Sequence, residues 1–454
     1  MNPVAAAVAQ DFAQAVIQNA QPGEQVETFV QTATTTRIVY EANKLKDVEL
    51  REARGLGVRI RTAEGRLGNF ATSDFNDPAE TLEMARNLAS LSEPGEFELV
   101  TDYRLATVDS APAAITGRAT EAMVTDGAAI IAQLQKELPE GIHGSGLYHT
   151  VSTMELANGH GASVRYSHGE YTGYLISAIT REDDQLEAYE MFQADATGVD
   201  FAPALARQLQ KVRGCEKPGN LPTGNYPVLF TPNGLSTFTA LQNALNGKPV
   251  AEGLSSLREA LGTQALSALL TLTDDPTIAG GPVSYPIDDE GVTAKPTVLV
   301  ERGVVRHFLY DQKYGKKSGQ GSSGNGLRCG RQTVSAGRSY QNTISPAPSN
   351  TIVDPGTASV ADLIKGMQRG LIVDSVMGVH TSNLISGDFS LNLDLAMVVE
   401  NGEITGRLKD AMMSGNVFRM LKDQLAALSA ERFWTGGWYA PYFLVNDVSL
   451  ATTG

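Results

Sequence analysis

Hydrophobic and polar residues alternate with a period of two along much of residues 24–73, after a start in which apolar residues recur at helical spacing. The alternating or β-branched segments predict short strands, because such side chains suit a pleated, half-buried surface. These segments are residues 27–31, 36–41, 47–52 and 57–61. The start, residues 1–20, predicts an amphipathic helix and not a secretory signal, since Asp11 interrupts its apolar run and no basic residue precedes it.

Helix and strand patterns share the rest of the first half of the chain. Asp77-Pro78 predicts the start of the first of three helices. The three are predicted over residues 79–91, 117–138 and 201–213. Residues 144–195 return to strands, with Asn158-Gly159 and Asp183-Asp184 as polar turns. Antiparallel sheet with helices packed on it predicts an α+β domain.

The glycine- and proline-rich residues 214–224 predict a linker, because such a segment continues neither a helix nor a strand ladder. We therefore predict two domains, over residues 1–213 and 225–454. The second is β-rich with few helices, and its hairpins are predicted over turns at residues 301–303 and 401–402. Its helices are predicted over residues 235–246, 360–369 and 413–428. The predicted fold class is α+β.

Charge, cysteine content and the length of apolar runs exclude several classes of protein. The 454 residues carry 36 basic and 51 acidic side chains, and the net charge is −15. A chain of this charge repels polyanions, so we expect no direct binding of nucleic acid. Two cysteines, Cys215 and Cys329, are too few for a disulfide framework and fit a reducing compartment. No apolar run approaches the ~18 residues of a membrane span, and we expect a cytoplasmic protein.

One stretch, residues 228–248, is central to the functional prediction. An apolar strand over residues 228–230 runs into a turn and then a helix. Asn233 is predicted to cap that helix, and Gly247 to provide a left-handed stop. A strand that leads into a helix is a usual place for catalytic groups, yet the predicted helix contains no His, Cys, Asp or Glu.

Several short motifs follow this stretch in order. They are Asp274-Asp275-Pro276, Asp288-Asp289-Glu290-Gly291, the segment carrying Asn383, Gly387, Asp388, Phe389 and Ser390, then Glu400-Asn401-Gly402-Glu403 and Ser414-Gly415-Asn416. In this order and spacing, the C-terminal region resembles the TldD/PmbA family. Active members of that family carry a His-Glu-x-x-x-His zinc motif on the corresponding helix. Matching the Leu-x-Gly after that motif to residues 245–247 places its functional positions on Phe238, Thr239 and Asn243.

The resemblance therefore implies the PmbA (TldE) branch, which lacks the zinc motif. No His occurs between His168 and His307. No Cys follows Cys329, whereas the active branch completes its zinc site with a cysteine near the C-terminus. We expect neither a catalytic residue nor a metal ligand in this chain, and zinc in a TldD-type partner subunit.

The same resemblance implies a function and contact residues. The expected function is that of a non-catalytic subunit in a zinc metalloprotease heterodimer, which degrades unfolded peptides or processes leader peptides. An extended peptide is the expected substrate. The positions expected to contact peptide or partner are Asn383, Gly387, Asp388 and Phe389.

Two other functions stay open. One is a homodimeric peptide-binding or scaffold protein without protease activity. The other is a self-sufficient metallopeptidase with an unrecognised site, for which His307, His380 and Cys329 form a candidate metal set. His160 and His168 are interpreted as surface or hairpin residues instead.

Other candidate features have simpler interpretations. The aspartates at 274, 275, 288 and 289 predict turns and caps rather than a cation site, because no alternating acidic loop surrounds them. The glycine-rich residues 319–326 predict a mobile loop rather than a phosphate site. Trp434 and Trp438, where many relatives read Gly-Asn-Asp-Leu, are interpreted either as a partner anchor or as a lid on the core.

Overall fold

A computed structural model of the protein describes residues 3–95, 97–181, 184–329 and 338–452, with side chains from residue 9 onward. The α-helices are α1 (Pro3–Gln18), α2 (Pro78–Ser90), α3 (Ala113–Thr116), α4 (Thr120–Glu137), α5 (Ala202–Gly214), α6 (Thr239–Ala244), α7 (Gly247–Ala251), α8 (Gln312–Ser318), α9 (Val360–Gly366) and α10 (Val417–Arg419). Other helical turns are the 3₁₀ segments Asn233–Phe238 and Val379–Thr381 and the π segment Met420–Gln424. Among the described helices, none is both long and apolar enough to cross a lipid bilayer.

The strands fall into two large sheets and a small one. Those of the first sheet are β1 (Gln25–Glu41), β2 (Lys44–Arg61), β3 (Leu67–Thr72), β4 (Ile142–Asn158), β5 (Ser163–Arg181) and β6 (Asp184–Gln193). The rest are β7 (Gly224–Phe230), β8 (Leu272–Asp274), β9 (Thr297–Glu301), β10 (Val304–Val305), β11 (Gly326–Leu327), β12 (Ser345–Pro346), β13 (Thr351–Val353), β14 (Arg369–Met377), β15 (Asp388–Glu400), β16 (Glu403–Arg407), β17 (Ala411–Asn416), β18 (Leu425–Thr435) and β19 (Trp438–Thr452). The fold is α+β, which confirms the predicted class.

Within the described residues, the first sheet is antiparallel, with the order β3-β2-β1-β4-β5-β6. The prediction of short strands in its first part was wrong, because they are halves of the long strands β1 and β2. Residues 32–35 pair with residues 51–54 in an unbroken ladder. The chain reverses at Ala42 and Asn43, whose φ angles of 48° and 66° suit a tight hairpin turn.

The predicted helices of this half form with shifted ends. The Asp77 carboxylate accepts hydrogen bonds from the N–H groups of Ala79 and Glu80, both at 2.9 Å, and this cap starts α2 one residue earlier than predicted. The helix predicted over residues 117–138 is α4, which begins three residues later than predicted, and the short α3 lies just before the predicted start. The Asn158-Gly159 turn joins β4 to β5 as predicted. Of the second predicted turn, Asp183 lies outside the described residues.

Helices cover one face of the first sheet, and loops of the second half of the chain cover part of the other face. Tyr171 and Leu175 of β5 are buried in a hydrophobic core together with Ile130 of α4. Glu170 and Thr172 alternate with them along β5 and are only partly buried. Because neighbouring side chains of a strand point to opposite faces, the second face of this sheet carries polar groups.

The second sheet is mixed and partly closed. In the described part of the chain its order is β10-β9-β8-β13-β19-β17-β15-β14-β7, and β19 also pairs with β7. That pairing closes β7, β14, β15, β17 and β19 into a ring. A hydrophobic core that contains Phe230, Phe238 and Phe443 fills this part of the fold.

The helix predicted over residues 413–428 was wrong. Ala411–Asn416 is β17, which pairs with β15 and β19, and β18 begins at Leu425. Only the connection between these strands is helical, and the Asn416 side chain caps it by accepting a hydrogen bond from the Arg419 N–H at 3.1 Å. Strand pairing buries the apolar residues here, so tertiary contacts override a local helical spacing.

The two predicted hairpins of this half are present, and so is the helix predicted to follow Ser359. The turn at residues 401–402 joins β15 to β16, and the turn at residues 301–303 joins β9 to the short β10. Helix α9 begins after Ser359, whose hydroxyl accepts a hydrogen bond from the Asp362 N–H at 3.0 Å. This helix ends at Gly366, three residues before the predicted end, and β14 begins at Arg369.

The acidic motifs have two structural roles. Asp275 and Asp288 make turns as predicted, since each accepts a hydrogen bond from the N–H two residues later, at 2.8 and 3.0 Å. The turn interpretation was wrong for Asp289, which forms a buried ion pair with Arg338. The pair lies between the first sheet and the loops that precede β13, so it fixes one half of the chain against the other.

Further buried ion pairs join the two halves. Arg59 of β2 lies 3.1 Å from the Glu27 carboxylate of β1 and 2.7 Å from that of Glu290. Lys211 of α5 lies 2.7 Å from the Asp374 carboxylate of β14. Such pairs are costly to break, because removal of one partner leaves the other charge buried.

The predicted linker, residues 214–224, begins at the last residue of α5. Its Gly219 N–H donates a hydrogen bond to the Arg407 carbonyl oxygen at 2.7 Å, so part of it lies against β16. The division into domains at this segment stays a prediction.

Candidate functional site

The segment matched to the zinc motif forms a broken helix. The continuous helix predicted over residues 235–246 was wrong, because a 3₁₀ segment ends at Phe238 and α6 and α7 follow it. Asn233 does not cap it; its side-chain oxygen accepts a hydrogen bond from the Thr435 hydroxyl at 3.3 Å. Gly247 is not a left-handed stop but the first residue of α7. A Cβ there would lie 2.1 Å from the Tyr310 ring, so close packing requires the glycine.

The structure places each of the three matched positions differently. Phe238 is buried, with its ring centroid 5.0 Å from that of Phe230 and 5.7 Å from that of Phe443. Thr239 is partly buried, and its hydroxyl donates a hydrogen bond to the Ser236 carbonyl oxygen at 2.6 Å. The Asn243 side-chain amide donates one to the Leu384 carbonyl oxygen at 3.2 Å.

These groups do not fit a zinc ion. Zinc in proteins is held by imidazole nitrogen, thiolate sulfur or carboxylate oxygen, and the segment offers a phenyl ring, a hydroxyl and an amide. Among the described residues, no group of three or more His, Cys, Asp and Glu side chains could hold a metal ion. The candidate set of His307, His380 and Cys329 is therefore not brought together.

The predicted contact loop lies next to this segment. The Asn383 side-chain oxygen accepts hydrogen bonds from the N–H groups of residues 385 and 386, at 3.0 and 3.1 Å. Gly387 has a φ of 80°, a left-handed conformation that favours glycine. Asp388 is exposed, and hydrogen bonds from Asn416 and Ser386 hold its pKa below the usual value.

The two predicted regions thus meet in the fold, through the Asn243 to Leu384 hydrogen bond. Phe389, the last residue of the predicted set, is buried in the core of the second sheet. Its side chain is buried in that core, whereas the side chain of Asp388 is exposed to solvent. A role of this loop in peptide or partner contact stays a prediction.

A cavity of about 470 Å³ lies between the polar part of the second face of the first sheet and the second half of the chain. Residues from four strands of the first sheet form its floor, among them Gln31, Ser152, His168, Glu170, Thr172 and Gln193. Other walls come from residues 282–285, from Cys329 and Arg338, and from the hairpin that joins β18 to β19. Its volume is that of a ligand pocket.

The sequence interpretation missed this cavity. His168 was interpreted as a surface or hairpin residue, but it lies within β5, opposite Ser152 of β4, and lines the cavity. The alternation of side chains over residues 166–175 could have indicated a strand with one buried and one polar face. Which residues would cover its polar face was not visible, since they are more than a hundred positions away.

The pKa values of Glu170, Cys329 and His168 in the cavity are shifted toward the neutral forms. Burial raises the pKa of Glu170 to about 7 and that of Cys329 to about 12. Burial, with a contribution from the Arg338 charge, lowers the pKa of His168 to about 4. The His168 Nδ1 atom is buried without a hydrogen-bond partner among the described residues.

The two tryptophans have separate places. Trp434 lines the cavity, and its ring stacks on that of Tyr439 with 5.0 Å between centroids. Trp438 is partly buried against the core of the second sheet. Trp438 therefore matches the interpretation as a lid on the core, and Trp434 presents aromatic surface to the cavity.

Known proteins resemble this chain over most of its length. The PmbA/TldA metallopeptidase C-terminal domain matches residues 223–452, and PmbA/TldA metallopeptidase domain 1 matches residues 26–89. The chain is 25% identical to the metalloprotease PmbA homolog of Haemophilus influenzae, over 89% of this chain and 87% of that protein. It is 27% identical to an uncharacterised protein of Methanocaldococcus jannaschii, over 63% of this chain and 64% of that protein, which is less than two thirds of that relative.

Among solved structures, TldE from Thermococcus kodakarensis has the same fold. The TM-score is 0.86 with 22% sequence identity, and the match covers 98% of this chain and 100% of that chain.

Proposed function

Because this chain belongs to the PmbA/TldD metallopeptidase family, we propose that it is the metal-free subunit of a two-protein peptidase whose zinc is held by a TldD-type partner. The observation that carries the proposal is the occupation of the motif positions by Phe238, Thr239 and Asn243. A buried phenyl ring, a hydrogen-bonded hydroxyl and a hydrogen-bonded amide supply neither a metal ligand nor a base.

The proposal assigns different tasks to the two subunits. The partner supplies the metal, which activates water for peptide hydrolysis when bound there. This chain shapes the chamber and holds an extended peptide, which is an unfolded polypeptide or a leader segment. The loop with Asn383, Gly387 and Asp388 is the proposed contact region, because it lies on the surface beside the matched segment. The proposed location is the cytoplasm, since Cys215 and Cys329 are both free thiols.

The experiment mixes this protein with the TldD-type homologue from the same genome. We expect a heterodimer in sizing chromatography, and peptidase activity on a fluorescein-labelled unfolded polypeptide that appears only in the mixture. Elemental analysis is expected to find zinc in the partner alone, and a chelator is expected to abolish the activity. A partner variant without the motif glutamate is the matched control, since it should form the complex without activity.

Two outcomes overturn the proposal. Absence of both a complex and a gain in activity, with a stable homodimer of this chain, would favour the peptide-binding or scaffold protein. Stoichiometric zinc and chelator-sensitive peptidase activity from this chain alone would show a self-sufficient enzyme.

A further inference from the structure

The cavity on the first sheet contains an acidic group that forms no ion pair with any described residue. Glu170 lies in the middle of β5, opposite Thr150 of β4 and two residues from Thr172. No hydrogen bond or ion pair joins its carboxyl to another described residue, and no nearby charge offsets the effect of burial on its pKa. Because an unpaired carboxylate is costly to bury, such a group is a candidate for a ligand contact.

The other ionisable groups at the cavity do not balance Glu170. Arg338 is a cation, but it forms an ion pair with Asp289 and lies over the rings of Tyr166 and Tyr285. His168 is neutral because its pKa is lowered to about 4. The cavity therefore has an unmatched acidic position within the described residues.

The remaining walls suit an organic cation attached to an apolar stem. Trp434 lines the cavity, and the face of an indole ring attracts ammonium and guanidinium groups. Gly436 and Gly437, at the turn of the same hairpin, bring no side chain into the cavity. A lysine or arginine side chain has both the charge for Glu170 and the methylene stem for the aromatic wall.

We propose that this cavity binds the basic side chain of an extended peptide, with Glu170 as its counter-ion and Trp434 as its aromatic wall. The inference rests on the proposed function for the peptide nature of the ligand, and it adds a preference for lysine or arginine. Binding is a property of this chain alone, so it is measured without the partner. Failure to bind would leave the heterodimer test unaffected, and failure of the heterodimer would leave the binding test valid.

The first test compares blocked pentapeptides on the wild-type chain. The probes are acetyl-Ala-Ala-Lys-Ala-Ala-amide, its arginine counterpart, and an otherwise identical peptide with neutral norleucine at the centre. Calorimetry is expected to show binding of the two basic peptides that is about tenfold or more tighter than that of the norleucine peptide. Equal affinity for all three, or no binding of the basic peptides, overturns the proposal without any variant.

The second test places the contact at Glu170. Glu170→Gln keeps the shape of the side chain and removes its charge, so it is expected to lose the preference for basic peptides. Glu187→Gln is the matched control, because Glu187 is an exposed carboxyl on the neighbouring strand β6. A preference that survives Glu170→Gln, or that disappears equally in the control, contradicts the assignment.

A further readout separates a direct contact from a structural effect. At pH 6.5 a bound cation favours the carboxylate of Glu170, so binding is expected to release protons, detected as a dependence of the binding enthalpy on the ionisation enthalpy of the buffer. Glu170→Gln should bind without that release.

Fluorescence gives a second readout of the contact. Trp438→Phe leaves Trp434 as the sole tryptophan, and the fluorescence of Trp434 is expected to change with the basic peptides only. Binding without proton release or fluorescence change would place the peptide elsewhere and overturn the proposal.

Discussion

The pKa of an individual carboxyl group in this protein depends on whether the fold buries it. Glu170 is an ordinary glutamate in sequence, and burial raises its pKa from 4.5 to about 7. Asp388 carries the same functional group on the surface, where hydrogen bonds lower its pKa. The pKa values of the two carboxyls are therefore shifted in opposite directions.

The shift of Glu170 predicts a pH-dependent effect on stability. Its folded pKa is raised, so the contribution of the protonated group is fully present below about pH 4.5 and is lost as the pH rises through about 7. Glu170→Gln, which stays neutral, is expected to be more stable than the wild type by about 1–3 kcal/mol at pH 8 and nearly equal at pH 5. Urea unfolding at both pH values measures the difference in the free energy of unfolding between the variant and the wild type. An equal difference at pH 5 and pH 8 would contradict the raised pKa of Glu170.

Elements near the matched segment depend on close backbone approaches. Gly387 joins the contact loop to β15 in a left-handed conformation, and a Cβ on it would lie 2.7 Å from the Phe418 ring. The loop is then fastened by the hydrogen bond from the Val417 N–H to the Gly387 carbonyl oxygen at 2.9 Å. Loop geometry is thus set by the connection between β17 and β18.

Gly387→Ala is expected to destabilise the protein by about 1–3 kcal/mol, because it adds both a strained φ and a steric overlap. Gly366→Ala is the matched control, since nothing lies within 4 Å of its added Cβ and its φ is not positive. Midpoints of chemical denaturation measure both variants. If the loop contacts the TldD-type partner, Gly387→Ala should also weaken the heterodimer. An effect of the same size in both variants would show that the loop is not constrained as described.

Buried charges, together with apolar clusters, join the two halves of the molecule. Lys211 of α5 lies 2.5 Å from Glu190 of β6 and 2.7 Å from Asp374 of β14. Burial lowers the pKa of Lys211, but the attraction of these two carboxylates outweighs that effect and raises the pKa above its usual value. A single ammonium group therefore bridges the first sheet and the ring of the second.

Lys211→Met is expected to lower the free energy of unfolding by about 3–5 kcal/mol, because two carboxylates lose their shared cation. Arg213→Met, on the same helix, removes a surface pair with Glu137 and should cost less than about 1 kcal/mol. Guanidinium unfolding of the two variants shows whether the Lys211 ammonium group stabilises the fold. A small effect of Lys211→Met would mean that the halves are joined by other contacts.

Patterns among neighbouring residues in the sequence determined many of the strands, helix caps and turns of this protein. Alternation along the strands, the Asp77 and Ser359 caps and the turn at residues 401–402 all depend on residues within a few positions of one another, and the structure has each of them. The absence of His and Cys from residues 228–248 is likewise a property of the sequence alone, and it excludes zinc ligands from that segment.

Tertiary structure decided the features that join distant segments. Pairing of β17 with β15 and β19 turned a predicted helix into a strand, and packing of Phe238 between Phe230 and Phe443 accompanies a broken helix at the matched motif. The cavity, with the raised pKa of Glu170, exists only because strands of the first sheet meet a hairpin more than two hundred residues later. Local patterns carry no information about which distant groups exclude water from a carboxyl, and that exclusion sets its chemistry.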